Sequence, residues 1–262
     1  MAPVYKILLI NPNSSQEMTE NLKPLVQQYP SNTVIETYTA PADSPKSINN
    51  EEDALASAKV VYPEILQYIA KKRYDGYLVA CYSLHPLVDM IREAAPRGIY
   101  VTGIFEASIT TALALTPGRK PRSVDLPLQR TKFGIVTTGA AWEKALSEGV
   151  MNVIGLNSII HSTRFKGVES TGLNADELHT APKEFVRKKM KEATKRLVQG
   201  NDVKVISLGC AGMSGLDQIV QEALIEELGE EDAREVHILD PVKVGIGMLE
   251  NVLKSLPGSK SE

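Results

Sequence analysis

Short apolar runs recur along the chain, each followed by a longer stretch in which apolar positions return every three or four residues. "KILLI" (6–10) leads into the helical pattern "NPNSSQEMTENLKPLVQQY", where Ser14 and, three residues on, Glu17 suggest a capping box. "TVIETYTA" (33–40) reads as a strand and 51–70 as a long amphipathic helix. "GYLVACY" (76–82) is a buried strand before a helix opened by Pro86, and "GIYVTGI" (98–104) precedes the helical "EASITTALAL". The second half begins with "KFGIVTT" (132–138) and a helix over 141–150. It continues with a helix over 181–199, strand "VKVISLG" (203–209), a helix near 215–228, strand "VHILD" (236–240) and a last helix from 241. Continuous apolar strands alternating with helices predict an α/β fold of parallel sheets flanked by helices.

Two stretches read as loops. "TPGRKPRSVDLPLQR" (116–130) is Pro-rich and suits a linker, while 155–179 is long enough to border or cover a pocket. Around the linker the two halves correspond. Cys81 stands 75 residues beyond Lys6, and Cys210 stands 78 beyond Lys132, each at the end of a later strand in its half. The expected organisation is two pseudo-symmetric domains, 1–106 plus 241–262 and 107–240, with the active site in the cleft between them. Ligands of open parallel sheets bind beyond the carboxyl ends of the strands, and both cysteines stand there.

Composition narrows the function. Of 262 residues, 43% are hydrophobic and 23% charged, as in ordinary globular chains, and the net charge of −3 offers no general attraction to nucleic acid or anionic membrane. The densest basic stretch, "KEFVRKKMKEATKR" (183–196), mixes its charges as a solvated helix face does. No apolar run approaches the roughly 20 residues of a membrane span. With only two cysteines and no secretory pattern at the N-terminus, two free thiols in a reducing cytoplasm are expected. The expected partner is a small-molecule substrate, without nucleic acid or membrane; a homo-oligomer stays open.

Pro86 opens a helix just past Cys81, and "AGMSGLD" leads into one past Cys210. Both thiols are therefore expected near helix N-termini, whose positive field lowers a thiol pKa. A thiolate on one face of a carbon acid and a thiol on the other suit inversion: one takes the α-proton, the other returns a proton to the opposite face. The enolate between them needs fixed donors. Candidates are the amides of Tyr82, Ser83, Ala211 and Gly212 and the side chains of Asn13, Ser83 and Thr138. His85 reads as an N-cap or surface residue. His161, His179 and His237 lack ligand-like spacing, so neither a metal nor any other cofactor is expected. The glycines of "GCAGMSG" lack the Lys-Ser/Thr ending of a phosphate loop and read as room for close backbone approach.

"ILLINPNSS" with Met18–Thr19, "ACYSLHPL", "GIFEAS", "FGIVTT" and "LGCAGMSGL", in that order, resemble the aspartate/glutamate/hydantoin racemase superfamily, nearest its hydantoin and allantoin racemase branch. The resemblance implies two pseudo-symmetric α/β domains and cofactor-independent two-base racemisation. Residue by residue, it implies Cys81 and Cys210 as the acid/base pair, with Asn13, Ser83, Thr137 and Thr138 lining the substrate site and Glu106 touching it. Leu84 stands where members of the family carry an acidic residue, which bears on the substrate. The reading is a racemase acting beside a carbonyl. Isomerisation or decarboxylation through the same enolate, and metabolite binding without turnover, are the alternatives; a thiol oxidoreductase would ordinarily show Cys-x-x-Cys.

Overall fold

The computed structural model describes residues 4–27, 29, 33–116, 130–156 and 164–256. Strands β1 (Lys6–Asn11), β2 (Val34–Thr39), β3 (Gly76–Val79) and β4 (Tyr100–Gly103) form one sheet in the order β2-β1-β3-β4. Strands β5 (Lys132–Thr137), β6 (Phe165–Ser170), β7 (Val203–Gly209) and β8 (His237–Leu239) form a second in the equivalent order β6-β5-β7-β8. Every pairing is parallel. The continuous apolar runs follow from this: Ile7, Leu8, Leu9 and Ile10 are all buried because both faces of a central parallel strand are covered.

The first sheet is accompanied by α1 (Gln16–Gln27), α2 (Glu51–Ala70), α3 (Pro86–Ala94) and α4 (Ile104–Leu115). Helices α5 (Ala141–Ile154), α6 (Glu177–Thr180), α7 (Lys183–Leu197), α8 (Asp217–Leu228) and α9 (Glu230–Arg234) accompany the second, and α10 (Pro241–Ser255) closes the order. The chain divides into two compact units, Met1–Ala107 with Val242–Glu262, and Ser108–Pro241. In the first, Leu8, Ile10, Tyr77 and Val79 pack with Ala58, Val61 and Ile65 of α2 and Leu87, Val88 and Ile91 of α3. Period-2 alternation turns Ile7 and Leu78 to the other face, where α10 lies: a Cβ on Gly245 would stand 2.7 Å from Leu78 Cδ1. The second unit buries Val136, Ile206 and Leu208 with Met190 and Leu197 of α7 and Val220 and Leu224 of α8.

Three expectations from the sequence need correction. The residue capping α1 is Ser15, whose Oγ accepts the Met18 N–H at 3.2 Å, while Ser14 ties the loop down by donating from Oγ to Ser44 O. The stretch 155–179 is not one loop, for it contains β6 and α6. And β3 ends at Val79, so Cys81 lies beyond the ladder, free to take loop geometry. The central part of the expected linker (117–129) and residues 157–163, with His161, lie outside the described residues. Among the described residues no helix is long and apolar enough to cross a membrane.

Candidate active site

Parallel strands end at a common edge, so the loops after β1, β3 and β4 are neighbours in the first unit. After β1, Asn13 is buried; its Oδ1 accepts from Asn11 Nδ2 at 3.0 Å and from the Ser15 N–H at 2.9 Å, and its Nδ2 faces Met18 Sδ at 3.2 Å. After β3, the half-buried Cys81 has its Sγ 3.5 Å from Ser83 Oγ. Tyr82 turns inward, its ring edge-on to Phe105 at 5.2 Å. The Ser83 amide donates to Cys81 O, so it folds the loop and is not directed at an oxyanion. Leu84 is the outward residue of this loop at 42% exposure, between buried Ser83 and His85.

His85 is the N-cap of α3, with Nδ1 accepting from the Leu87 N–H at 3.3 Å. Burial lowers its pKa to about 4, so the neutral ring carries its proton on Nε2, which has no hydrogen-bond partner among the described residues.

Glu106 stands in the first turn of α4, immediately after β4. A Cβ on Gly103 would overlap its Oε2, so the glycine leaves the room this carboxyl occupies. Burial pushes the carboxyl up to about 7, against the pull of its own and Gly103's backbone N–H groups and of Arg92, while Asp89 adds to the rise. Between pH 4.5 and 7 the native state therefore binds more protons than the unfolded chain, and stability contributed by this group is lost as pH rises through that window. Glu106→Gln should flatten that slope and raise stability above pH 7 by roughly 1–3 kcal/mol. Urea unfolding midpoints of both chains at pH 5 and pH 8 measure it; an equal difference at both pH values would contradict it.

In the second unit β5 and β7 are paired, which brings Thr137 and Thr138 beside Cys210. Thr137 is fully buried and donates from Oγ1 to Gly209 O at 2.9 Å, so its hydroxyl clamps the end of β7. The carbonyl of Thr138, also buried, accepts from Thr171 Oγ1. Cys210 is the N-cap of a 3-10 turn, Ala211–Met213, and its Sγ accepts from the Gly212 N–H at 3.4 Å. The Gly212 amide thus faces the sulfur and not a ligand oxygen. The expectation that a helix terminus lowers the thiol pKa fails for Cys210: burial pushes it up to about 11, outweighing the amides of Gly212 and Met213. One 3-10 turn supplies two N–H groups, too few to offset the lost hydration of a thiolate.

Two further features were invisible as motifs. His179 of α6 and Cys210 flank the same glycine: a Cβ on Gly212 would stand 3.1 Å from His179 Nε2 and 3.6 Å from Cys210 Sγ. Ser214 Oγ, just past the turn, donates to Asp240 Oδ1 at 3.0 Å, joining the loop after β7 to the end of β8. The structure thus gathers Asn13, Cys81, Tyr82, Ser83 and Glu106 at one sheet's carboxyl edge and Thr137, Thr138, Cys210, Ala211 and Gly212 at the other's. Each cysteine follows the third strand of its unit.

Known proteins resemble this chain over nearly its whole length. Over 269 residues, 97% of this chain and 99% of the relative, the sequence is 27% identical to Protein DCG1 of Saccharomyces cerevisiae. It is 27% identical over 250 residues to a hydantoin racemase of Paenarthrobacter aurescens, covering 95% of this chain and 91% of that protein. The crystal structure of an allantoin racemase from Pseudomonas fluorescens superimposes with a TM-score of 0.72 at 21% identity, over 95% of this chain and 91% of that one, which establishes a common fold. The sequence pattern described as Asp/Glu/Hydantoin racemase matches residues 7–249. The chain belongs to the Asp/Glu/hydantoin racemase family.

Proposed function

We propose that the chain is a cofactor-independent racemase of a hydantoin-type substrate, allantoin or a 5-substituted hydantoin, using Cys81 and Cys210 as its two bases. The observation that carries the reading is the matched position of the only two cysteines, each just beyond the third strand of an equivalent sheet. Membership of the racemase family and likeness to a hydantoin racemase over nearly the whole chain support it.

The chemistry requires the two sulfurs on opposite faces of one bound ring. A thiolate removes the hydrogen at C5, the electron pair passes onto the adjacent carbonyl oxygen, and the opposite thiol then protonates C5 from its own side. The thiolate has become a thiol and the thiol a thiolate, so charge and protons balance. Burial keeps Cys210 protonated at neutral pH, so it enters this cycle as a proton donor. Asn13, Ser83 and Thr138, in the loops beyond β1, β3 and β5, supply side chains for holding the substrate's polar edge. Both cysteines are free, as a thiol mechanism needs and as a reducing compartment such as the cytoplasm would keep them.

The test is loss of optical rotation from L- and D-allantoin and from a panel of 5-substituted hydantoins, with no added cofactor. Both enantiomers of at least one compound should decay to zero rotation. Unchanged rotation across the whole panel would overturn the reading in favour of binding without turnover.

A further inference from the structure

Burial keeps Cys210 as a thiol, yet racemisation in both directions requires it to act as a base in one of them. The thiol proton then needs an acceptor within reach. The loop-and-helix segment that precedes α7 supplies one. Helix α6 packs against the 3-10 turn at Ala211–Met213, with Leu178 buried and His179 exposed. Nε2 of His179 and Sγ of Cys210 both lie within 3.6 Å of the point that a Gly212 Cβ would occupy. Two atoms so placed about one point lie within reach of a single bridging water. The absence of a side chain at Gly212 is what leaves the space open.

We infer that His179 is the positioning and proton-relay residue of Cys210, exchanging the thiol proton between the buried sulfur and solvent. The step is a plain proton transfer. The S–H bond of Cys210 breaks, its proton binds Nε2 of His179, and the imidazolium releases the Nδ1 proton to water. The reverse sequence reprotonates the thiolate. An imidazole is suited to this because its unperturbed titration falls between pH 5 and 8. The Gly212 N–H, already directed at Sγ, holds the sulfur while its charge changes. The inference rests on the proposed function only for its role in turnover; the pairing of imidazole and thiol stands independently.

The experiment measures iodoacetamide alkylation of Cys210 and Cys81 separately by mass spectrometry at pH 7, in the native chain, His179→Ala and His179→Gln. Cys210 should react about tenfold or more slowly in both variants. Added imidazole should restore its rate in His179→Ala, where a space is left, and Cys81 should react equally in all three chains. The three chains should also unfold at the same temperature, because the replaced ring is exposed. Where a hydantoin is turned over, kcat should fall with KM unchanged. Equal Cys210 rates in all chains, an inert Cys210 in the native chain, retention of the rate by His179→Gln, or a loss that imidazole does not restore would each overturn the pairing. The alkylation pattern without racemisation of any hydantoin would overturn the proposed function and leave the pairing intact.

Discussion

Replacing either Cys81 or Cys210 by serine should abolish racemisation, lowering turnover at least about a hundredfold, because a positioned proton donor or acceptor contributes that much and a serine hydroxyl is a far poorer base near pH 7. The two single variants should not be equally dead in every assay. Under the proposed two-base mechanism each variant retains one thiol, which serves one face of the bound ring. That thiol can remove the α-hydrogen from the enantiomer whose hydrogen points toward it and return a solvent-derived one to the same face. In D₂O, Cys81→Ser and Cys210→Ser should therefore wash out the α-proton signal of opposite enantiomers, as followed by NMR. Full racemisation by either variant, or exchange of the same enantiomer by both, would rule out a two-base mechanism.

The largest effect on folding is expected at Gly209, the last residue of β7. A Cβ there would stand 2.8 Å from Ile135 Cγ2, from Thr137 Cβ and from the carbonyl oxygen of Val136. Two of those atoms cannot rotate away, being a main-chain oxygen and a Cβ in a central strand. Gly209→Ala should therefore cost about 3 kcal/mol, at the upper end of ordinary overpacking. Gly134 is the internal comparison. There the three atoms nearest a new Cβ all belong to the Leu197 side chain, Cδ1, Cδ2 and Cγ at 2.7, 2.9 and 3.0 Å, and a leucine can change rotamer. Gly134→Ala should cost less, by at least about 1 kcal/mol. Denaturant midpoints of the two variants, measured together, decide the order. The consequence reaches the site, because Gly209 holds Thr137 and immediately precedes Cys210.

What the sequence reveals depends on how each element is buried. Strands covered on both faces announce themselves as unbroken apolar runs, which is why β1, β3, β5 and β7 were legible. Strand β6 was not. It lies at a sheet edge, and its polar residues are spent on side-chain ties: Lys166 to Asp202, Glu169 to Arg196 and Ser170 to Glu143. Gly167, at φ 136°, interrupts it further. Such a strand reads locally as a loop.

The cysteines were legible because their spacing repeats. The environment that sets their acidity was not, since burial around Cys210 comes from residues distant in sequence. His179 escaped for the same reason. It stands 31 positions before Cys210, with no motif joining them, and only the packing of α6 on the 3-10 turn reveals the pair. Asn13 and Ser83 were found at the strand ends, but their turn-forming hydrogen bonds depend on loop shape, which no periodicity encodes.

The helix α10 belongs to the unit that begins the chain, although all of Ser108–Pro241 is synthesised before it. On a ribosome, the second unit is a continuous stretch and has every strand it needs as soon as β8 emerges. The first unit has its whole sheet far earlier, yet the cover that Gly245, Leu249 and Leu253 give to Ile7, Gly76 and Leu78 arrives only with α10. The usual order, in which the N-terminal unit matures first, is therefore inverted in this chain. The half carrying Cys81 is begun first and finished last, and during translation the strip of its sheet that α10 covers is what a chaperone has to protect.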